Sequence, residues 1–267
     1  MSLRLWLLRA LYAMPRIRGR DRLISYISDG LVMKPFRLSD GLSLLLEPAE
    51  YVQLEIIING ANEPRTLQLI RKLVQPGDCV IDVGAHIGHH ALHAARAARS
   101  NGRVYAIDPQ PYNADRISRN ATINCLDNVV TICAAAGDTD GFVQLPVQSE
   151  RDRSRLSLRG KGPNDLTLSV EVPIRRLDSL IQSHNMPAPK LIKIDVEGFE
   201  LEVLRGLGSR IDSCQNIILE LLDGTDGDLK QRIVELLQMS GFQLRQIDGA
   251  PWKSGEKLIE SNLWAAR

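Results

Sequence analysis

The sequence has few cysteines, no surplus of either charge, no long apolar run and no internal repeat. Lysine and arginine number 33 against 32 aspartate and glutamate, and this balance argues against a dedicated nucleic-acid-binding surface. The cysteines show no C-x-x-C pair and no histidine cluster at zinc-ligand spacing, so they form neither a disulfide framework nor a zinc site. We predict a cytosolic protein in which the four cysteines are reduced and mostly buried: Cys79, Cys125, Cys133 and Cys214.

The first twenty residues, MSLRLWLLRALYAMPRIRGR, contain no apolar run long enough to cross a membrane, because Arg4 and Arg9 interrupt it. No small-residue cleavage site follows, so the segment is not typical of a secretory signal. Four leucines at helical spacing predict an amphipathic helix: Leu3, Leu7, Leu8 and Leu11. Packing on its own domain or a dimer contact is favoured for this helix, and peripheral contact with a membrane surface is the alternative.

A hairpin and two helices are predicted between this segment and the core. Asp40-Gly41 lies between two short apolar runs and suits the positive φ angles of a tight hairpin turn. Residues 51–58 are typical of a helix that ends at Asn59-Gly60, and residues 64–74 of a helix that opens with a proline. We therefore expect an N-terminal extension over residues 1–62 and one larger domain over residues 63–267.

After Gly77 the chain alternates between strands and helices, which predicts an α/β fold with a doubly wound, mostly parallel sheet. The predicted strands are CVIDV, RVYAID, VVTICA, KLIKIDV and NIILEL, and the helices include Ala91–Arg99, Asn113–Asn124 and Glu197–Leu204. Residues 141–176 are the exception, with two apolar runs around a polar, glycine-rich stretch, and predict an antiparallel insertion with a mobile loop. GFQLRQID and LIESNLWAAR predict an antiparallel pair at the sheet edge.

The run VIDVGAHIGHHALHAARAA predicts a strand, a glycine turn and a helix, an arrangement that binds nucleotide-type ligands. Gly84 and Gly88 allow close approach of the backbone to such a ligand. His86 and His89 stand where the dinucleotide pattern G-x-G-x-x-G needs glycines, so a pyrophosphate site is excluded. Asp82, two residues before the first glycine, suits an amino or sulfonium group, because a carboxylate repels phosphate.

Asp108 ends the next predicted strand, where a carboxylate accepts hydrogen bonds from an unphosphorylated ribose. Together Asp82 and Asp108 indicate S-adenosyl-L-methionine. The alternative for Asp108 is a helix N-cap ahead of Pro109. Asp138, after the small residues that follow the third strand, either accepts a hydrogen bond from the adenine amino group or simply forms the turn in GDTDG.

The strand KLIKIDVEGFE places Lys193 and Asp195 on one side of the sheet, and Glu197 follows at its carboxyl edge. Such charges are costly there unless they are paired or functional, and ligands of open α/β sheets bind at this edge. A Lys193–Asp195 ion pair with acids in the first turn of the next helix is the structural alternative. Glu220 ends a neighbouring strand, either as part of an acidic rim that positions a hydroxyl or divalent cation or without a chemical role.

Three motifs in this order and spacing, PGDCVIDVGAHIG, AIDPQPYN and KIDVEGFE, resemble the FkbM family of methyltransferases. The resemblance covers roughly residues 62–222 and implies a class I, Rossmann-like fold with a seven-stranded sheet. It also implies S-adenosyl-L-methionine as cofactor and methyl transfer, usually to an oxygen of a sugar or polyketide-type hydroxyl.

Carried over by position, the resemblance implies a role for each motif. The first motif would bind the methionine end of the cofactor through Asp82, Gly84, Ala85, His86 and Gly88. The second would bind its ribose end through Asp108, Pro109 and Asn113. The third would form the reaction centre with Lys193, Asp195 and Glu197. Glu63 matches an acid that such sequences carry ahead of the core.

Three positions depart from the family pattern. Family members commonly have Asn where this chain has His86 and an aromatic residue where it has His89. They often have Glu in place of Asp108. With His90, these histidines place three bases close to the cofactor turn, either as a local adaptation or as groups that tune substrate binding by titrating near neutral pH.

The expected reaction is in-line attack of an acceptor hydroxyl on the sulfonium methyl group, with Asp195 as the base and Lys193 orienting it. The expected methyl acceptor is a hydroxyl group of a small molecule or glycan. We expect no nucleic-acid partner and assign no residues as metal ligands. The arginine-rich run RDRSRLSLRGKG is either a solvated loop or a lid over an acidic or sugar-phosphate acceptor. A non-catalytic cofactor-binding protein and a methyltransferase of nucleic acid or protein are the alternatives.

Overall fold

The computed structural model describes residues 3–15, 20–28, 33–146, 169–222 and 224–267. Their contacts divide the chain into two compact units, one with the described residues up to Pro64 and one with those from Arg65 onward. The predicted mobile loop lies in 147–168, outside the described residues. In the parts of the chain that are described, no helix is long and apolar enough to cross a membrane.

The first unit contains three helices and a hairpin: α1 Leu3–Ala13, α2 Arg20–Ser28, β1 Lys34–Arg37, β2 Ser43–Leu46 and α3 Tyr51–Asn59. The hairpin is confirmed, with antiparallel pairing of β1 and β2 and with Gly41 at φ 92° in the turn. The helix predicted over 51–58 is confirmed as α3, which ends at Gly60 with φ 82°. Leu8 of α1 is fully buried with Ile24 and Leu54, so one face of the N-terminal helix packs within its own unit.

The second unit contains the larger α/β structure. Its helices are α4 Pro64–Leu73, α5 His89–Ala98, α6 Pro111–Ile123, α7 Leu177–Ser183, α8 Glu200–Gly206 and α9 Gly227–Met239. Its strands are β3 Cys79–Val83, β4 Arg103–Ile107, β5 Val129–Ile132, β6 Ala135–Gly137, β7 Gly141–Pro146, β8 Ser169–Arg176, β9 Leu191–Ile194, β10 Asn216–Glu220, β11 Gln243–Gln246 and β12 Asn262–Ala266. Two short 3-10 helices, Gly208–Ser213 and Ile259–Ser261, complete it.

Seven strands form one sheet in the order β11-β12-β10-β9-β3-β4-β5. The five strands from β10 to β5 are parallel, and β12 lies antiparallel between β10 and β11. The doubly wound, mostly parallel sheet and the antiparallel pair at its edge are therefore confirmed. Since parallel strands end at one edge, Asp82, Asp108, Asp195 and Glu220 are brought to the same edge.

Alternation along the strands distributes apolar side chains to both faces of the sheet. On one face the small residues of α5, Ala91 and Ala95 among them, pack on Val80 and Val104. On the other face Ile81, Ile192 and other strand residues pack against α7, α8 and α9. Both faces are covered by helices, and this explains why the central strands are mostly apolar, with Asp82 of β3 and Lys193 of β9 as buried charged exceptions.

A second sheet has three strands in the order β6-β8-β7. The antiparallel pairing of β7 with β8 confirms the predicted insertion. The strand predicted for VVTICA is confirmed as β5, but it ends at Ile132, two residues early. Ala135–Gly137, which follow that run, form β6, which runs parallel to β8. The small residues have a packing reason, because a Cβ on Gly206 of α8 would lie 1.8 Å from the carbonyl oxygen of Gly137.

The expectation of mostly buried cysteines holds for two of the four. Cys79 and Cys214 are buried and Cys125 and Cys133 are exposed. The two exposed thiols follow α6 and β5, where the chain leaves regular structure at the surface.

Candidate active site

The turn from β3 into α5 is shaped by its neighbours inside the protein. Gly84 has φ 80°, and a Cβ there would lie 1.7 Å from the carbonyl oxygen of Asp195. Gly88 has φ 87°, and its Cβ would lie 2.8 Å from Leu92 Cδ1. The sequence predicts that both glycines make room for a ligand. The structure gives each of them a second reason, which is the close approach of β9 and the packing of α5.

His86 connects this turn to the adjacent strand. Its backbone N–H donates to Asp108 Oδ2 at 2.8 Å, and the N–H groups of Gly84 and Ala85 donate to the carbonyl of Ile107 at 2.9 and 3.1 Å. His86 has φ 51°, in the left-handed region where asparagine and histidine are enriched. A residue of this kind is therefore suited to the turn whatever its side chain does.

Asp108 is buried, and its carboxylate organises the start of α6. Besides His86, it accepts from Gln110 N at 2.9 Å and from Asn113 Nδ2 at 3.0 Å. Burial raises the pKa of Asp108 to about 7, although these hydrogen bonds act in the opposite direction. A carboxylate has about four acceptor positions, and three of those of Asp108 are used. Roughly one acceptor position therefore remains, which is enough for one ribose hydroxyl rather than for both. The sequence did not indicate this role of Asn113 in holding Asp108.

Asp82 is 2% exposed, and neither carboxylate oxygen has a hydrogen bond of standard geometry within the described residues. Burial raises its pKa to about 6, against the attraction of the Lys193 ammonium. Asp82 and Lys193 stand opposite each other on β3 and β9. A buried carboxylate without a donor is destabilising, and such a group is typical of a binding site for a polar or cationic partner.

Lys193 and Asp195 form a direct ion pair at the carboxyl end of β9. Lys193 Nζ donates to Asp195 Oδ2 at 2.7 Å, with the lysine side chain 2% exposed and the aspartate side chain 28% exposed. Burial alone would raise the pKa of Asp195, but Lys193 and a hydrogen bond with Glu220 bring it below its ordinary value. The outcome is an anionic, partly accessible carboxylate, which is able to accept a hydrogen bond from a hydroxyl group.

Glu197 lies outside the helix in which the sequence placed it, because α8 begins at Glu200. Glu197 has φ 50° and Gly198 φ 94°, and the Gly198 N–H donates to Glu200 Oε1 at 2.8 Å. Residues in this left-handed region cost energy and are often found at functional sites. The sequence did not signal the positive φ of His86 and Glu197.

The predicted titration of histidines near neutral pH does not hold for His89 and His90. Burial lowers the pKa of both well below the ordinary value; His93 adds to this at His89 and the Lys193 ammonium adds to it at both. His93 accepts a hydrogen bond from Arg71 at 3.2 Å, and its ring lies 5.0 Å from that of His89. His89 and His90 are therefore uncharged at neutral pH, and together with His93 they form a buried cluster on α5.

Asp138, Glu63 and Pro109 complete the set of predicted residues. Asp138 follows β6 of the three-stranded sheet, where its carbonyl accepts from Arg176 at 2.9 Å, and Glu63 belongs to the first compact unit. Pro109 follows Asp108, and its carbonyl accepts from Cys133 Sγ at 3.8 Å. Burial and the nearby Asp108 carboxylate raise the pKa of Cys133, a proximity that the sequence did not predict. The position of Cys133 directly after the third strand was the available signal.

Comparisons with known proteins agree with this geometry. A model of the methyltransferase FkbM domain matches residues 82–244, more than half of the chain. Hexuronic acid methyltransferase AglP of Haloferax volcanii is 27% identical to this chain over 164 residues. The match covers 61% of this chain and 64% of AglP, so the chain spans less than two thirds of that protein's length.

Further similarity is found to 31-O-demethyl-FK506 methyltransferase FkbM of Streptomyces tacrolimicus, 27% identical over 195 residues that cover 63% of this chain and 74% of that protein. The crystal structure of methyltransferase FkbM from Methylobacillus flagellatus is 18% identical with a TM-score of 0.47, and covers 86% of this chain and 56% of that one. With a domain match over more than half its length, the chain belongs to the FkbM family of S-adenosylmethionine-dependent methyltransferases, with the class I, Rossmann-like α/β fold.

Proposed function

We propose that the protein transfers a methyl group to a hydroxyl oxygen of a sugar, glycan or polyketide-type small molecule. The observation that carries this proposal is the Lys193–Asp195 pair, with a buried cation and a partly exposed anion at the carboxyl edge of the sheet. Two relatives are named for acceptors of these classes, a hexuronic acid and 31-O-demethyl-FK506. The methyltransferase domain of this proposal is residues 63–267, with residues 1–62 as an N-terminal extension.

Asp195 is the group that receives the acceptor hydroxyl. Its lowered pKa keeps it ionised at neutral pH, so it accepts the hydroxyl hydrogen bond and orients the oxygen lone pair. A carboxylate of low pKa is a weak base, and proton transfer to it becomes favourable as the oxygen gains positive charge during methylation. Lys193 holds this carboxylate in place and keeps it anionic.

The residues of the β3 and β4 ends fit the cofactor, which when bound supplies the sulfonium methyl group. The orphaned carboxylate of Asp82 fits a cationic amino group. The acceptor position that remains on Asp108 fits one ribose hydroxyl, while Asn113 and the His86 N–H hold that carboxylate in orientation. Gly84, Ala85 and Gly88 form the turn between these two acids.

The test is a mass-shift screen with S-adenosyl-L-methionine against uronic acids, neutral glycans, polyketide-type alcohols, RNA oligonucleotides and peptides. We expect a gain of one methyl group on a hydroxylated small molecule or glycan. Methylation of RNA or peptide alone would overturn the proposed acceptor class. Binding of S-adenosylhomocysteine without turnover on any acceptor would support a non-catalytic binding protein instead.

Asp195→Asn and Asp178→Asn are a matched pair for this screen. Asp178 forms an ion pair with Arg176 at the same 2.7 Å and with the same 28% exposure of the aspartate side chain, but beside the three-stranded sheet. If Asp195 receives the hydroxyl, only its replacement abolishes the mass shift. Equal activity of the two variants would contradict the assignment.

A further inference from the structure

The charges of the chain are divided unevenly between its beginning and the remainder. The first 22 residues contain six arginines and one aspartate, although the whole chain has a net charge of only +1. The other 245 residues therefore hold 27 basic and 31 acidic side chains. Such asymmetry indicates an anionic partner for the basic segment.

Helix α1 exposes an apolar stripe on the side away from its packed face. Leu8 is fully buried, whereas the exposed positions Trp6, Leu7 and Ala10 lie on one helix face, and the exposed Met14 directly follows the helix. A helix whose outer face is polar needs no partner there. On α1 the outer stripe contains no charged residue.

The second helix repeats this arrangement. Ile24 of α2 is buried beside Leu8, while Leu23 and Tyr26 on the same helix are 48% and 80% exposed. Among the residues whose exposure is described, six of the twelve large exposed apolar side chains fall between positions 6 and 33: Trp6, Leu7, Met14, Leu23, Tyr26 and Met33. Exposed apolar surface is thus concentrated within the basic segment and in the eleven residues that follow it.

We propose that the surface formed by α1 and α2 binds the face of an anionic lipid bilayer. Tryptophan, leucine and methionine insert into the headgroup boundary, and the arginines attract anionic lipids. A second copy of the chain fits this surface poorly, because it would bring two segments of six arginines together. Helices α1 and α2 have 11 and 9 residues, fewer than the roughly 20 that a membrane span needs, so in this proposal they lie on the bilayer.

The test is co-sedimentation of the full chain with phosphatidylcholine vesicles prepared with or without phosphatidylglycerol. We expect binding to the anionic vesicles, little binding to the neutral ones, and release at high salt. Binding that is the same for both vesicle types and insensitive to salt would overturn the proposal, as would no binding to either.

Variants then locate the surface. Trp6→Ser with Leu7→Ser should weaken vesicle binding by about tenfold or more, since two apolar side chains no longer insert. Arg4→Gln with Arg9→Gln should weaken it by about fivefold for each charge. Met239→Ser is the matched control, because Met239 is 88% exposed but lies on α9; it should bind as the parent does.

A second measurement separates lipid binding from self-association. Sedimentation velocity without lipid should give the same mass for the parent and for the Trp6→Ser, Leu7→Ser variant. If the parent is a dimer and the variant a monomer while vesicle binding is unchanged, the surface joins two copies and the lipid proposal is wrong. Thermal melting and S-adenosylhomocysteine binding confirm that each variant is folded.

Discussion

Two ion pairs of equal length lie in different surroundings in this protein. Lys193–Asp195 at the edge of the seven-stranded sheet and Arg176–Asp178 beside the three-stranded sheet both span 2.7 Å, and both aspartates are 28% exposed. The difference is the cation, which is 2% exposed for Lys193 and 34% exposed for Arg176. Water screens the second pair, whereas the first keeps its charge in a medium of low dielectric.

The two aspartates also reach a lowered pKa by different routes. A hydrogen bond from Arg176 lowers the pKa of Asp178. Burial opposes ionisation of Asp195, and the attraction of Lys193 outweighs it. A buried cation that maintains a partly exposed anion is an unusual arrangement for stability alone. This difference supports the proposal that Asp195, at the edge of the seven-stranded sheet, receives the acceptor hydroxyl, whereas Asp178 beside the three-stranded sheet has a structural role.

The largest expected effect is on turnover. Asp195→Asn keeps the shape of the side chain but removes its charge, so turnover on the acceptor found by the mass-shift screen should fall by about 10² to 10⁴. S-adenosylhomocysteine affinity, measured by calorimetry, should barely change. Asp178→Asn should keep parental turnover, because that carboxylate binds Arg176 rather than an acceptor.

Loss of stability is the other explanation for an inactive Asp195 variant. Removing the partner of a buried ammonium costs about 3–5 kcal/mol, although the Asp82 carboxylate also attracts this ammonium. Thermal melting separates the two. An Asp195→Asn protein that binds S-adenosylhomocysteine, melts close to the parent and is inactive supports a chemical role; one that remains active moves the chemistry to Glu197 or Glu220.

Two glycines extend the comparison to the backbone. A Cβ added to Gly84 would lie 1.7 Å from the carbonyl oxygen of Asp195, and a Cβ added to Gly206 would lie 1.8 Å from the carbonyl oxygen of Gly137. Gly84→Ala and Gly206→Ala should therefore each lower the free energy of unfolding by on the order of 3 kcal/mol in urea denaturation. Gly141→Ala, with no atom within 4 Å of its Cβ, is the control and should change it little.

The same glycine variants sharpen the difference between the two sheets. At a temperature where both variants are folded, Gly84→Ala should also lose S-adenosylhomocysteine affinity, because the turn between Asp82 and Asp108 is displaced. Gly206→Ala should keep that affinity. An equal loss of S-adenosylhomocysteine affinity in both variants would contradict the proposal, because the packing of the three-stranded sheet would then affect cofactor binding as much as the β3–α5 turn does.

Much of this architecture was readable in the sequence, because hydrophobic alternation and glycine turns are local signals. The strands CVIDV and NIILEL and the hairpin at Asp40-Gly41 are found where the pattern predicts them. The strand predicted for VVTICA is found as β5, but its end at Ile132 and the start of β6 were not predicted, since β6 forms by pairing with β8, more than thirty residues away. Periodicity carries no information about such a pairing.

The candidate site was readable in its residue types but less in its contacts. The motif KLIKIDVEGFE predicted the pairing of Lys193 with Asp195. That Asp108 is occupied by three internal hydrogen bonds follows from how α6 and the β3–α5 turn meet, and such contacts have no signature in one sequence. The low pKa of His89 and His90 likewise results from burial that only the folded chain creates.

Asp82 provides a smaller effect that depends on pH. Its folded pKa of about 6 is raised above the ordinary value by burial, so the stability linked to this group is present below about pH 4 and is lost as the pH rises through 6. Asp82→Asn should therefore be more stable than the parent at pH 8, by about 1–3 kcal/mol, and similar at pH 4. Urea denaturation at the two pH values measures this difference.

The exposed acid Asp115 supplies the control, since it pairs with Arg119 on the surface of α6. Asp115→Asn should change stability little at either pH. The stabilised Asp82→Asn protein should bind S-adenosylhomocysteine more weakly, because the cationic partner of the carboxylate is then bound without a counter-charge. Unchanged affinity would contradict the assignment of Asp82 to the cofactor.

The smallest expected effect concerns the surface pair itself. Asp178→Asn should lower the free energy of unfolding by about 0.2–1 kcal/mol at pH 7. Because Arg176 lowers the pKa of Asp178, this contribution is present above the ordinary carboxylate pKa and should disappear as the pH falls through the lowered one. High salt should reduce it further at pH 7, since both side chains are in contact with water. Urea denaturation in low and high salt measures it, and a salt-insensitive loss of several kcal/mol would show that Arg176–Asp178 is shielded from water as Lys193–Asp195 is.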